Sequence, residues 1–305
     1  MVIGFDTSNY TTSIAAFDGS EGENVSRLLP VKPGELGLRQ SDALFHHVKR
    51  LPELSGGLLC HIDAASIRAI GVSTRPRAVE GSYMPCFLAG VGHATVLSQL
   101  LKVPLIEVSH QQGHVAACLW SAGHMELMDR PFLAWHLSGG TTELLFVTPE
   151  GKNVHCEKIG GTSDISAGQL IDRTAQLLEL PFPGGTHLDA LSQEAGKKEF
   201  FKVKTKEFTF SFSGVQNKVQ QYAGSNTKED TAWYALASVA WGVAAVTKAA
   251  LAAYPDCRVV FSGGVASNIL LRRQLAQFDP IFCPPQYSTD NALGVAVLAH
   301  RLTED

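Results

Sequence analysis

A strand, a polar turn and a second strand occur in each half of this chain. In the first half, Val2–Phe5 is apolar, Asp6–Thr12 is polar and Ser13–Phe17 is apolar again. The same order recurs over Phe132–Val147, around the polar turn Ser138–Thr142. Two similar hairpins at corresponding places in the two halves predict a duplicated domain.

The segments between and after the hairpins alternate between helical and extended patterns. The apolar spacing predicts helices at 41–54, 81–101, 166–180, 231–253 and 291–301, and strands at 67–73 and 258–261. Alternation of this kind is typical of the α/β class. We expect a boundary near residue 130, with domains 1–130 and 131–305, and a last helix that is able to pack back on the first domain.

Size and composition exclude several classes of protein. The chain has 305 residues, 45% of them hydrophobic, which is enough for two domains with separate cores. A net charge of −4 argues against a surface that binds nucleic acid over its whole area and leaves a local basic cleft open. The six cysteines form no C-x-x-C pair, which argues against a disulfide framework and a zinc ribbon.

The cysteine pattern, the first residues of the chain and its longest apolar stretch predict a cytoplasmic protein without a membrane segment. The first residues enter a strand pattern at once and lack the basic start and apolar core of a signal peptide. The longest apolar stretch, Ala232–Tyr254, contains Trp233, Trp241 and Lys248 and is typical of a buried helix.

A pair of histidines four residues apart, His110 and His114, is a candidate metal site. On a helix this spacing stacks both imidazoles on one face, where they can share an ion such as zinc, iron, copper or nickel. The metalloprotease signature has Glu directly after the first His, and Gln111 stands there, so the proteolytic general base is absent. Taken alone, the pair is weak evidence and favours two ordinary helix histidines over metal ligands.

Three polar turns after strands, two of which contain glycines, indicate a nucleotide site. The turns Asp6–Thr12, Ser138–Thr142 and Ser262–Asn268 would let backbone N–H groups approach an anion, and hairpins facing each other across two domains can hold the phosphates of a nucleotide. Pro183–Thr186 is either a helix C-cap or the border of a ribose or adenine. Asp172 is either a ribose ligand or a surface charge.

Six motifs, in this order, carry a resemblance to one family. They are Ser-His-Gln-Gln-Gly-His at 109–114, Leu-Ser-Gly-Gly-Thr-Thr at 137–142, Leu-Pro-Phe-Pro-Gly-Gly-Thr at 180–186, Phe-Ser-Phe-Ser-Gly-Val at 210–215, Ser-Gly-Gly-Val-Ala-Ser-Asn at 262–268 and Ser-Thr-Asp-Asn-Ala at 288–292. From Gly4 to about His300 the chain resembles the tRNA threonylcarbamoyladenosine synthase subunit family, which is also filed as M22 glycoprotease or O-sialoglycoprotein endopeptidase.

The resemblance implies a fold and a reaction. The fold is that of actin, hexokinase and sugar kinases (ASKHA), with two ribonuclease-H-like domains around a nucleotide cleft, in agreement with the repeated hairpins. The reaction is an acyl transfer, in which a threonylcarbamoyl group passes from its adenylate to the exocyclic amine of the tRNA adenosine beside the anticodon. One divalent metal, iron or zinc, takes part. The implied partners are the adenylate donor, tRNA and other subunits of a tRNA-modification complex.

The resemblance also assigns residues, none of them as the catalytic group. It implies that His110, His114 and Asp290 bind the metal. Some family members have a tyrosine ligand two positions before Ser-Gly-Gly, and His136 occupies that place; we infer either a fourth ligand or a strand histidine facing the cleft. The residues implied to hold the adenylate are Ser138, Gly139, Gly140, Thr141, Asp172, Gly185 and Asn268.

Three segments depart from the family pattern. Tyr10 and Thr11 stand where the family has an Asp-Glu pair, Arg75-Pro76-Arg77 replaces a Gly-Pro-Gly turn, and Thr141 replaces a His or Asn. These departures favour a divergent paralogue that performs the family reaction or a closely related carbamoyl transfer. Two alternatives stay open, a non-catalytic partner subunit of a tRNA-modification assembly and a small-molecule kinase of the same fold.

Overall fold

The computed structural model describes residues 1–8, 10–30, 38–289 and 291–304. The strands in these ranges are β1 Val2–Asp6, β2 Thr11–Phe17, β3 Gly22–Leu28, β4 Ala69–Arg75, β5 Leu105–Ser109, β6 Phe132–Leu137, β7 Thr142–Glu150, β8 Asn153–Thr162, β9 Thr205–Lys206, β10 Thr209–Phe210, β11 Val259–Ser262 and β12 Ile281–Phe282. The helices are α1 Gln40–Leu59, α2 Leu88–Leu101, α3 His110–Ser121, α4 Ala167–Leu177, α5 Gly185–Ser192, α6 Ser213–Ala223, α7 Lys228–Ala253, α8 Ile269–Leu275 and α9 Leu293–Thr303.

The first sheet has the strand order β3-β2-β1-β4-β5. β1, β2 and β3 form an antiparallel meander, whereas β4 and β5 run parallel to β1. Every residue of β1 and β2 is buried, including the polar residues Asp6, Thr11, Thr12 and Ser13 where the two strands meet the turn. The carboxyl ends of β1, β4 and β5 therefore lie at one edge of the sheet, the usual place for a site in an α/β protein.

The second sheet repeats this arrangement. Its order is β12-β11-β6-β7-β8-β10-β9, with β7 antiparallel to β6 and with β11 and β12 parallel to β6 and to each other. The segment β8-β7-β6-β11-β12 thus has the same order as β3-β2-β1-β4-β5. The predicted α/β class and the predicted duplication are confirmed.

The chain forms two compact units. The first contains 1–130, 148–156 and 286–305, and the second contains 131–147 and 157–285. The core of the first includes Ile3, Phe5 and Val72. The core of the second includes the large side chains Trp135 and Phe261.

In the first unit, α3 packs directly on α9 through two glycines. A Cβ atom on Gly294 of α9 would lie 1.9 Å from the carbonyl oxygen of Gly113 in α3. Only a residue without a side chain allows the two backbones to approach this closely. This contact positions α3, the helix that carries the predicted metal histidines.

Several predicted boundaries were wrong. The helix predicted at 166–180 ends at Leu177, and Pro183–Thr186 is not its C-cap, since α5 begins at Gly185. The helix predicted from residue 81 begins at Leu88, after a single 3-10 turn that opens with Pro85. The sequence did not predict β3, because this edge strand exposes much of its surface and its residues are mostly polar.

α7 is the one helix among the described residues that is long and apolar enough to cross a membrane. Of its most apolar window, 67% is buried inside the protein. Its side chains contribute to the core of the second unit, among them Val239, Val243 and Val246.

Candidate functional site

The two predicted metal histidines lie on α3, which begins at His110. Ser109 caps this helix, because its hydroxyl accepts a hydrogen bond from the N–H of Gln112 and the Gln112 side chain accepts one from the N–H of Ser109. The Gln112 amide also donates to the carbonyl of Val154 at 2.7 Å. These bonds fix the first turn of α3 and therefore the position of His110.

The two imidazoles are in direct contact. Their ring centroids are 4.3 Å apart, and the Nε2 atoms of His110 and His114 are separated by 2.9 Å. Bonds from zinc to imidazole nitrogen are about 2.0–2.1 Å long, so two such bonds at a tetrahedral angle place their nitrogens about 3.3–3.4 Å apart. The two rings must therefore separate by roughly 0.4 Å to share one ion, a movement within the range of side-chain rotation.

Asp6 binds the other side of the His110 ring. Its Oδ2 atom lies 2.6 Å from His110 Nδ1, and its Oδ1 atom accepts hydrogen bonds from Ser8 N at 3.0 Å and from Ser73 Oγ at 2.9 Å. The Asp6 side chain is only 2% exposed. β1, β4 and β5 bring these groups together at their carboxyl ends, and the sequence reasoning missed this partner of His110.

The third metal ligand that the resemblance implies, Asp290, stays a prediction. Asp290 lies outside the described residues. Within the ranges that the structure does describe, no three His, Cys, Asp or Glu side chains are arranged to hold a metal ion. Asp6 does not complete such a set, because it contacts the ring nitrogen that points away from His114.

A second buried histidine, His47 of α1, lies near this edge of the sheet. Its Nδ1 atom is 2.8 Å from the hydroxyl of Thr12. Burial, the dominant effect, lowers the pKa of His47 to about 4 and outweighs the opposing effect of the Asp6 charge. His47 is therefore neutral near pH 7 and contributes no charge beside the first hairpin.

In the second unit, the predicted phosphate-binding turn is closed by its own residues. Ser138 N donates to the Thr141 carbonyl at 2.8 Å, and Ser138 Oγ accepts from Thr141 N at 3.1 Å. The beginning of α4 packs on this turn, since Ser166 Oγ donates to the Gly139 carbonyl at 2.6 Å and a Cβ on Gly168 would lie 2.4 Å from Gly139 Cα. A turn with exposed glycines beside a helix N-terminus is an arrangement that can receive an anion.

His136 lies on β6 in the second unit. It pairs with Ser262 of β11, whose hydroxyl is 3.2 Å from His136 Nδ1 and donates to the carbonyl of Trp135 at 3.1 Å. Because the single hydroxyl proton of Ser262 points to Trp135, Ser262 Oγ accepts the proton of His136 Nδ1. The role of His136 as a metal ligand stays a prediction.

The predicted adenylate residues Asp172, Gly185 and Asn268 are linked through α5. Asp172 Oδ1 accepts from the N–H of Gly184 at 3.0 Å, directly before Gly185 opens the helix. Asn268 caps α8 by accepting from Leu271 N at 2.9 Å. Burial raises the pKa of the Asp172 carboxyl.

Asp189 joins this group, and the sequence reasoning missed it. Its Oδ2 atom accepts from Ile269 N at 3.0 Å, whereas its Oδ1 atom is buried without a hydrogen-bond partner. Burial raises its pKa. The position one turn after Gly185 on the same helix is the signal that could have identified Asp189.

The Phe-Ser-Phe-Ser-Gly segment has a structural explanation. Asp164 accepts hydrogen bonds from the hydroxyls of Ser211 and Ser213, each at 2.5 Å, and from Phe212 N at 2.8 Å. Burial opposes ionisation of Asp164, but these hydrogen bonds outweigh it and hold its pKa well below the usual range. The two serines thus attach the loop before α4 to the start of α6.

Comparisons with known proteins show what this chain is similar to. The family model of TsaD, tRNA N6-adenosine threonylcarbamoyltransferase, matches residues 37–297. An enzyme of that name from Sulfurihydrogenibium sp. (strain YO3AOP1) is 32% identical over 319 aligned residues, covering 99% of this chain and 90% of its own. Another from Thermosipho africanus is 31% identical, covering 99% of this chain and 94% of its own.

Solved structures of more distant proteins share the fold. Full-length HypF in its phosphate- and nucleotide-bound form superposes with a TM-score of 0.63 at 16% identity, covering 100% of this chain and 46% of HypF. A ROK family glucokinase from Streptomyces griseus in complex with glucose and AMPPNP gives 0.55 at 11% identity, covering 98% of this chain and 99% of its own. These likenesses confirm the predicted ASKHA class, and the match to the family model shows that the chain belongs to the tRNA N6-adenosine threonylcarbamoyltransferase family.

Proposed function

We propose that this chain transfers a threonylcarbamoyl group from its adenylate to the adenosine beside the anticodon of tRNA, in a metal-dependent reaction. Membership of a family of tRNA threonylcarbamoyltransferases supports the general activity. The observation that carries metal dependence is the 2.9 Å approach of the Nε2 atoms of His110 and His114. Two imidazole nitrogens this close together on one helix can supply two ligands of a single metal ion.

The metal in this proposal is one divalent ion, iron or zinc. His110 and His114 hold it through their Nε2 atoms, with Asp290 as the third ligand and His136 as the fourth. Two or three imidazoles and one carboxylate form a donor set that suits either metal. When bound, such an ion supplies Lewis acid polarisation of the carbamoyl carbonyl.

The residues of the second unit hold the adenylate. The exposed glycines of the Ser138–Thr141 turn offer backbone N–H groups to the phosphate, and α4 adds the positive end of its dipole. Asp172 has a carboxylate that can accept hydrogen bonds from ribose hydroxyls. Gly185 and Asn268 border the same ligand in this proposal, since α5 links them to Asp172.

When the adenosine amine attacks the carbamoyl carbon, a C–N bond forms, the bond from that carbon to the phosphate oxygen breaks and AMP leaves. The amine must also lose a proton. In the first hairpin, the carboxylate of Asp6 is already engaged by Ser8, Ser73 and His110. Tyr10 and Thr11 stand where the family has acids, so the described part of the hairpin offers no second carboxylate for this proton. His47 is neutral there but fully buried. We therefore expect slower transfer than in relatives with the acidic pair, or a related carbamoyl acceptor.

The missing acids also favour a second candidate, a non-catalytic partner subunit of a tRNA-modification assembly. Such a subunit would keep the fold and the ligand sites and would lack transfer activity. In either case we expect the chain to act in the cytoplasm with tRNA and other subunits as partners.

Two measurements on the purified chain separate these candidates. The first is the content of bound zinc and iron in the wild type, His110→Ala, Asp290→Ala and the matched control His61→Ala, an exposed histidine of the first unit. We expect metal in the wild type and the control and its loss in the other two. The second is formation of threonylcarbamoyladenosine in tRNA from the adenylate donor.

The outcomes are distinct. Transfer that disappears in His110→Ala supports the proposed enzyme. Metal and adenylate binding without transfer, even with the partner subunits added, supports the partner subunit. A wild type that binds neither zinc nor iron contradicts the metal-dependent reaction.

A further inference from the structure

The carboxylate of Asp6 is saturated by three hydrogen-bond donors from three different elements. Ser8 N and Ser73 Oγ approach Oδ1, and His110 Nδ1 approaches Oδ2 at 2.6 Å. The Ser8 group is a backbone N–H, which can only donate. With its side chain only 2% exposed, Asp6 has no free face for a substrate or a solvent proton.

We propose that Asp6 is a positioning residue that holds His110 in the tautomer protonated at Nδ1, so that the Nε2 lone pair is directed toward Nε2 of His114. The metal role of this arrangement rests on the function proposed above. An ionised carboxylate can only accept, so the hydrogen bond to Asp6 requires the proton to be on Nδ1. A carboxylate on the distal nitrogen of a metal-binding histidine fixes both its tautomer and its ring orientation.

This assignment determines the protonation of His114 as well. In the neutral tautomer that has its proton on Nδ1, the Nε2 atom of His110 has a lone pair and no proton. The 2.9 Å contact between the two Nε2 atoms must then be a hydrogen bond donated by His114. Binding of a metal between the two nitrogens requires the His114 proton to leave Nε2 for Nδ1 or for solvent, whereas the proton of His110 stays in place.

Side-chain nitrogen NMR of the full-length chain reads these tautomers directly. In the metal-free wild type we expect His110 to be protonated at Nδ1 and His114 at Nε2. Addition of zinc should change the tautomer of His114 and leave that of His110 unchanged. Spectra of His110→Gln and His114→Gln assign the two sets of signals.

Asp6→Asn is the sharpest perturbation because it keeps the shape of the side chain. The amide oxygen must face the fixed N–H of Ser8, so the amide NH2 faces His110 Nδ1 and converts that atom into an acceptor. His110 is then protonated at Nε2 and cannot ligate a metal there. Loss of this kind of outer partner lowers metal affinity by about 10–100-fold.

Ser73→Ala is the matched control. It removes another donor from the same carboxylate and leaves the bond between Asp6 and His110 intact. We expect the wild-type tautomers and a zinc affinity within about twofold of the wild type. A merely structural role for Asp6 would instead make both variants lose affinity in parallel with their loss of thermal stability.

The wild-type spectrum keeps the proposal testable if Asp6→Asn does not fold. A metal-free His110 protonated at Nε2 overturns the proposal, as does an Asp6→Asn chain that retains Nδ1 protonation or full zinc affinity. If the wild type binds neither zinc nor iron, the proposed metal-dependent function fails, and the tautomer of His110 still decides whether Asp6 positions it.

Discussion

Gly294 of α9 is the position where one methyl group should most disturb the candidate metal site. Its Cβ atom in a Gly294→Ala chain would lie 1.9 Å from the carbonyl oxygen of Gly113, and 2.8 Å from the backbone nitrogen of Ala117. A carbon and a carbonyl oxygen tolerate about 3.3 Å, so α3 and α9 must separate by roughly 1.4 Å. Both contacted atoms belong to the backbone and cannot rotate away.

The expected destabilisation follows from two opposing effects. Overpacking typically lowers the free energy of unfolding by about 1–3 kcal/mol, and a rigid backbone contact belongs at the upper end. In the opposite direction, replacement of a helical glycine by alanine raises the free energy of unfolding by up to about 1 kcal/mol, because alanine has the higher helix propensity. We expect a net loss of about 2 kcal/mol, which is roughly a 30-fold change in the folding equilibrium.

Urea denaturation followed by circular dichroism measures this change. Gly56→Ala is the matched control, because Gly56 lies in helix α1 and a Cβ atom there meets nothing within 4 Å. We expect the control to be unchanged or up to about 1 kcal/mol more stable. Since α3 carries His110, the separation of the helices should also weaken its hydrogen bond to Asp6 and lower zinc affinity.

Two results would refute the reasoning. One is a Gly294→Ala chain as stable as the wild type with unchanged zinc affinity, which would mean that α3 does not pack on α9 at this distance. The other is equal destabilisation by Gly56→Ala, which would mean that the effect is not caused by the contact with Gly113.

Three further predictions concern stability and nucleotide binding. The pKa of His47 is lowered to about 4 in the folded state, against about 6.5 in the unfolded state. The free energy of unfolding is therefore at its full value above about pH 6.5 and falls as the pH drops toward 4, by roughly 3 kcal/mol in total. A His47→Gln chain should show a smaller loss of stability than the wild type when urea midpoints at pH 5 and 7.5 are compared. Thr247→Val removes the acceptor of the buried Trp135 Nε1 proton, now 2.9 Å away, and should lower stability by about 1–3 kcal/mol in thermal or urea unfolding; an unchanged midpoint would contradict that hydrogen bond. Gly168→Ala would place a Cβ atom 2.5 Å from the Ser138 carbonyl oxygen. It should weaken adenylate binding about tenfold, or about 1.4 kcal/mol, as measured by calorimetry. Wild-type affinity in this variant would show that the Ser138–Thr141 turn does not bind the adenylate.

Local patterns in the sequence determined the class of fold and the elements with strong periodicity. The hairpins around Asp6–Thr12 and Ser138–Thr142 are visible because apolar runs flank short polar turns, and α7 is visible because a long alanine-rich run must be buried. The spacing of His110 and His114 was sufficient to put both on one face of α3, since helical geometry depends only on separation along the chain. The ordered motifs were sufficient to identify the family.

Only the tertiary structure decided what surrounds those residues. Asp6 is 104 positions from His110 and 67 from Ser73, and they meet because β1, β4 and β5 end at the same edge of one sheet. No periodicity records strand order, so the partner that sets the His110 tautomer was invisible in the sequence. The 1.9 Å approach between Gly294 and Gly113 depends likewise on how two distant helices cross. Sequence spacing determines which side chains share a face, whereas strand order and helix packing determine which groups they touch.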